Sequence, residues 1–136
     1  MNYETLEEAF LFVSAAPHSE NSAVINRKTG ELFFASEEMT DLDELPEDAD
    51  ENDDYIYIPH QNDLDLGKPV VMDFVRNRCP NLIDRVQAIF RRKGAYGRFK
   101  DLLMEKNLLD DWYTFEQQRI REALLQWCEE NEIVLD

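Results

Sequence analysis

Apolar side chains recur at two different periods along this chain, and the change of period sets out its plan. Tyr3, Leu6, Phe10 and Val13 fall at helical spacing, with Asn2 in a capping position and Glu4, Glu7 and Glu8 near the positive end of the helix dipole. Pro17 ends the run. Residues 22–26 and 31–35 are short stretches rich in Val, Ile and Phe, joined by Arg27-Lys28-Thr29-Gly30, where Gly30 supplies the left-handed geometry of a bulged hairpin turn. Tyr55-Ile56-Tyr57-Ile58 alternates as a third strand and stops at Pro59. Between strands two and three, residues 37–54 are acidic throughout and contain no base, which predicts an exposed loop with a helical turn around residues 39–45.

Past Gly67 the period is helical. Pro69 suits a first helical position, and Val70, Val71, Phe74 and Val75 form one apolar face before Cys79-Pro80. Asn81 caps a second helix whose Leu82, Ile83, Val86, Ile89 and Phe90 make a stripe, closed by Gly94. A third runs through Tyr96, Phe99, Leu102 and Leu103 to residue 107, and the last from Asp110 and Asp111 to residue 131. The pattern predicts an α+β fold: an N-terminal helix and a small three-stranded antiparallel sheet packed on a C-terminal helical segment of about four helices. With no repeat and no linker rich in Pro or Ser, residues 1–136 are expected to form a single domain, an acidic helix-plus-sheet part (1–66) and a helical part (67–136).

Charge sharpens this division. Residues 1–66 hold 18 acids against the two bases Arg27 and Lys28, while residues 67–136 hold 12 of each, so the whole formal charge of -16 lies in the first part. A body of that charge is repelled by phosphate unless a basic patch faces it. Cys79 and Cys128 have no partner spacing and read as reduced thiols in a cytoplasmic protein. The longest early apolar run, residues 10–13, is far too short for a signal sequence or a membrane span.

Chemical signatures are scarce. There is no nucleophile elbow, P-loop, dinucleotide fingerprint, HExxH or paired CxxC. His18 and His60 each stand beside a proline without ligand-spaced neighbours and read as ordinary surface histidines. The calcium-loop outline that begins at Asp48 fails at Asp53, where glycine is required, and at Pro59, where glutamate is. No metal and no cofactor is expected. Gly94-Ala-Tyr-Gly97, among Arg91, Arg92, Lys93, Arg98 and Lys100, has the outline of the loop with which KH domains grip a nucleic-acid backbone. The long helical pattern after it favours a tight turn between helices with a basic rim. Candidate binding residues are therefore Arg91, Arg92, Lys93, Tyr96, Arg98, Lys100 and Tyr113, the last an amphipathic ring beside the turn. On the last helix Trp112, Phe115, Glu116, Arg119, Ile120, Ala123 and Trp127 share a face, so Glu116 and Arg119 are expected to form a structural polar pair, with Arg98 as the alternative partner of Glu116.

Gly94-Ala-Tyr-Gly-Arg-Phe-Lys-Asp101, then Trp112-Tyr-x-Phe115, then Trp127-Cys-Glu-Glu-Asn131 with Ile133, resemble the C-terminal pattern of the bacterial UPF0158 family, and the hairpin NRKTGE and strand YIYIP extend the likeness over nearly the whole chain. The resemblance implies the fold and brings no activity or cofactor with it. For function the expectation is a non-enzymatic cytoplasmic module that meets a protein partner by charge complementarity, through residues 37–54 or the basic turn 91–100. In one version the acidic stretch mimics nucleic-acid charge. Two alternatives stand beside it: single-stranded RNA binding through the basic turn, with Tyr96 or Tyr113 stacking on bases, and a carboxylate enzyme in which Glu116, Arg98 and Tyr113 converge.

Overall fold

The structure is a computed structural model that describes residues 1–18, 20–37 and 45–136. It opens with helix α1 (Tyr3–Ser14), where the Asn2 side chain accepts the Thr5 N–H at 2.9 Å and so satisfies one of the open donors at the helix start. Its inner face buries Leu6, Ala9, Phe10 and Val13. Strands β1 (Asn21–Asn26), β2 (Leu32–Ser36) and β3 (Tyr55–Tyr57) form one antiparallel sheet in the order β2-β1-β3, with Val24 opposite both Phe33 and Tyr57. The central strand is the buried one, with Ala23, Val24 and Ile25 closed to solvent. At the β1–β2 turn Gly30 adopts φ 77, and the Asn26 side chain accepts from the N–H groups of Lys28 and Thr29.

Four helices complete the chain: α2 (Lys68–Arg78), α3 (Ile83–Ile89), α4 (Ala95–Glu105) and α5 (Leu109–Glu130). The α+β architecture expected from the periodicities is the one observed. Helix α3 is shorter than its apolar stripe suggested, because residues 80–82 form a 3₁₀ turn and the chain leaves the helix after Ile89 through i→i+3 bonds from Arg91 to Ala88 and from Arg92 to Ile89. Gly94 is left-handed, at φ 74, but it stands immediately before α4 and starts that helix. No helix among the described residues is long and apolar enough to cross a membrane.

Contacts divide the chain into two compact units. The first comprises Met1–Leu64 with Glu122–Asp136, and the second Asp65–Arg121, so α5 contributes residues to both. Buried in the first are the inner faces of α1 and β1 together with Ile58, Leu124, Trp127, Cys128 and Ile133. Its chain ends meet where the Asp136 N–H donates to the Met1 carbonyl at 2.9 Å. The turns of residues 47–53 bury Ala49 and leave Glu47, Asp48, Asp50, Glu51 and Asp53 exposed, so this part of the acidic stretch is the exposed loop expected, tied down where the Tyr57 hydroxyl donates to Asp50 at 2.7 Å. Apart from Leu45, the helical turn expected at 39–45 lies outside the described residues.

In the second unit Trp112 sits edge-on to Phe74 and Phe99, at centroid distances of 5.4 and 5.1 Å, surrounded by Val71, Val75, Val86 and Leu103. This arrangement redistributes the charge. The first unit has 22 acids and 2 bases, net -20; the second has 8 acids and 12 bases, net +4.

Candidate functional site

The surplus of basic residues in the second unit concentrates where α3 gives way to α4. Arg85, Ala88 and Ile89 follow each other at i, i+3 and i+4 on one side of α3, and Arg92 comes in the turn after it. With Arg98 from α4 they line a shallow groove of about 320 Å³. The groove continues past Ile89 and Arg98 toward Asp101, Leu102 and Glu105.

The arginines differ in how they are held. Arg98 donates through Nη2 to the carbonyls of Lys93 at 2.7 Å and Ile89 at 3.4 Å, tying α4 to the turn that follows α3. Arg85 lies 3.8 Å from Glu105 with both side chains more than half exposed, a solvated pair of small energetic weight. The side chains of Arg91, Arg92 and Lys93 are exposed and have no hydrogen bond or ion pair among the described residues. Gly97 is the third residue of α4 and has no left-handed geometry. Gly94 to Gly97 is thus a left-handed cap followed by a first helical turn.

A second group lies along α4 and α5. Tyr96 and Tyr113 are each 40% exposed; the first rests edge-on against Phe90 at 5.1 Å, and the second lies under the Lys100 ammonium, 5.5 Å from the ring centroid. Burial pushes the Glu116 carboxyl above its ordinary range, with Lys100 acting against it, while burial and then the charge of Glu116 push the Tyr96 phenol up. The expected Glu116–Arg119 pair does not form. Arg119 binds the Asp73 carboxylate of α2, whose other oxygen lies 3.4 Å from Arg76, and its guanidinium covers the Phe115 ring. Asp73 offers Arg119 a charge-assisted bond from a neighbouring helix, and no arginine among the described residues lies within 4.0 Å of Glu116.

Of the candidate residues, Arg92 and Arg98 enter the groove, Arg91 and Lys93 stand outside its lining, and Tyr96, Lys100 and Tyr113 gather near Glu116. Sequence reasoning passed over Arg85 and Ala88 and placed Ile89 in an apolar stripe, although two arginines seven apart bracketing small and aliphatic residues were a visible signal.

The histidines depart from expectation. His60 is only 5% exposed and its ring stacks on His18 at 4.1 Å in the first unit. The Asn62 N–H donates to His60 Nδ1 at 3.1 Å, so Nδ1 must be the acceptor and Nε2 the nitrogen that carries the proton to the Ala16 carbonyl at 2.9 Å. His18 meets Asp63 at 3.0 Å, and the other Asp63 oxygen accepts the His60 N–H at 3.0 Å. Burial works to raise the Asp63 carboxyl, but the His60 N–H and the His18 ring outweigh it and hold the group below its usual range. Both His60 nitrogens serve the chain's own backbone, so the cluster is a clasp between the end of α1 and the loop after β3. Among the described residues no group of three or more metal-ligating side chains gathers. Cys79 and Cys128 are free, and burial pushes both thiols up, the reverse of what activates a nucleophile.

No solved structure matches the chain. A UPF0158 protein of Pseudomonas aeruginosa is 31% identical over 109 residues, spanning 77% of this chain and 69% of the relative. The model of an uncharacterised protein family, UPF0158, matches residues 4–135. Covering almost every residue from α1 to the C-terminal segment, that match establishes that the chain belongs to the UPF0158 family.

Proposed function

We propose that this chain is a cytoplasmic, non-enzymatic binding module whose second unit holds an acidic protein partner on the basic surface around the α3–α4 turn. The observation that carries the reading is the state of Arg91, Arg92 and Lys93: three adjacent cations, exposed, with no acid against them among the described residues, in a chain of net charge -16. Acids are abundant in this sequence, so a basic cluster left without them is available to charges from elsewhere. The free thiols accord with a reducing compartment.

Capture from bacterial lysate, with and without nuclease, tests the reading. The expected result is a partner retained after nuclease treatment and lost when Arg91, Arg92 and Lys93 are all changed to Glu. Capture that disappears with nuclease transfers support to the second reading, single-stranded RNA, which draws on the half-exposed Tyr96 and Tyr113 beside Lys100. An enzymatic use of Glu116, Arg98 and Tyr113 draws less support, since Arg98 lines the groove and neither Glu116 nor Tyr113 does.

A further inference from the structure

We propose that the groove between α3 and α4 takes an acidic peptide segment, with an aliphatic side chain seated on Ala88 and Ile89 and flanking carboxylates on Arg85, Arg92 and Arg98. The inference rests on the reading above and names the ligand chemistry of that surface.

The floor and the rim argue together. Ala88 is exposed and Ile89 half-buried, so the floor between the arginines is aliphatic. The tyrosines of this unit, the aromatic faces on which a base would stack, are not among the groove's lining residues. A leucine or isoleucine needs only apolar surface. At about 320 Å³ the groove is at the lower end of the range for ligand pockets, suited to one or two side chains and too small for a dinucleotide. Arg85 stands on α3 and Arg92 in the turn that follows it, on either side of Ala88 and Ile89 in the chain. An aliphatic residue between two acids matches that order of cation, apolar floor and cation.

The guanidiniums are ready to accept carboxylates. Arg92 has no partner among the described residues. Both recorded bonds of Arg98 leave from Nη2, so its Nη1 and Nε donors remain for a ligand. Arg85 and Glu105, 3.8 Å apart, are beyond hydrogen-bonding distance, and exchanging that loose pair for a bidentate carboxylate costs little.

Fluorescence anisotropy with the full chain tests the proposal, using a blocked, labelled Asp-Glu-Leu-Glu-Asp peptide, the same peptide with Ser for Leu, and labelled oligouridylate. The Leu peptide is expected to bind, and the Ser peptide about tenfold more weakly. Arg92→Glu and Ala88→Glu, both at exposed positions, should each weaken the Leu peptide by at least about tenfold, and Lys68→Glu, an exposed position of the same unit away from the groove lining, by no more than about twofold. Equal losses for Arg92→Glu and Lys68→Glu, or equal binding of the two peptides, overturn the groove. No binding of the Leu peptide also overturns the groove, and the nuclease-resistant capture then decides the broader reading alone. Tighter binding of oligouridylate than of either peptide overturns both.

Discussion

The two units of this chain handle charge in opposite ways. In the first, with 22 acids, both bases are spoken for: Arg27 lies 3.7 Å from Glu132 and Lys28 3.3 Å from Asp54. In the second, with 12 bases and 8 acids, Arg76, Arg78, Arg85 and Arg119 have carboxylate partners, while Arg91, Arg92 and Lys93 have none among the described residues. The net figure of -16 is therefore a poor guide to what the molecule attracts. Local surplus decides that, because screening confines each patch to its near neighbourhood.

The strongest way to separate the units is through the core of the second. Phe74→Ala removes a fully buried ring that touches Trp112 and Phe115, with an expected loss of about 3–5 kcal/mol. Hydrogen exchange should then show α2 and α4 losing protection before β1 does; equal loss in β1 would mean that the units unfold as one body. A smaller effect is expected for Asp73→Asn, which leaves Arg119 and Arg76 without their carboxylate: about 1 kcal/mol by urea denaturation, because the pair is a third or more exposed.

The smallest effects concern pH, and here the units should differ in sign. Asp63, in the first, has its carboxyl held down by the His60 N–H and the His18 ring against the opposing pull of burial. Its contribution is present above the unfolded carboxylate range and is lost as pH falls through the folded value. Asp63→Asn should thus lower the melting temperature near neutrality and match the parent in acid. Glu116, in the second, has its carboxyl raised by burial. The folded state favours the protonated form, so stability falls as pH rises through that range, and Glu116→Gln should raise the melting temperature near neutrality with little change in acid. Identical pH profiles for the two variants would show that the carboxyls share one environment.

Much of the fold was legible because its determinants are local. Asn2 before an apolar period, Gly30 between β-branched runs, and Pro69 at the start of α2 each act within a few residues. The site was legible only where it is local too. Arg92 and Arg98 were visible as a basic turn, whereas Arg85 and Ala88 stood outside the apolar stripe that included Ile89 and so drew no reading of their own. The partner of Arg119 was not accessible in this way: Asp73 is 46 residues away, and the closer Glu116 satisfied every sequence criterion. Likewise nothing near Pro17 or Pro59 signals that His18 and His60 stack. The end of α3 at Ile89 also escaped notice, since the apolar stripe continues into Phe90 while the backbone has already tightened.

Gly94 turns the chain at φ 74, and a Cβ built there would meet no heavy atom within 4 Å. An L-alanine at this point is opposed by its own main chain alone, since its surroundings leave room. The mirror-image residue prefers that conformation, so D-alanine introduced by semisynthesis should stiffen the hinge and stabilise the fold by restricting the denatured ensemble. Handedness at one atom would then tune how rigidly the arginine surface is presented, with every side chain on it left unchanged.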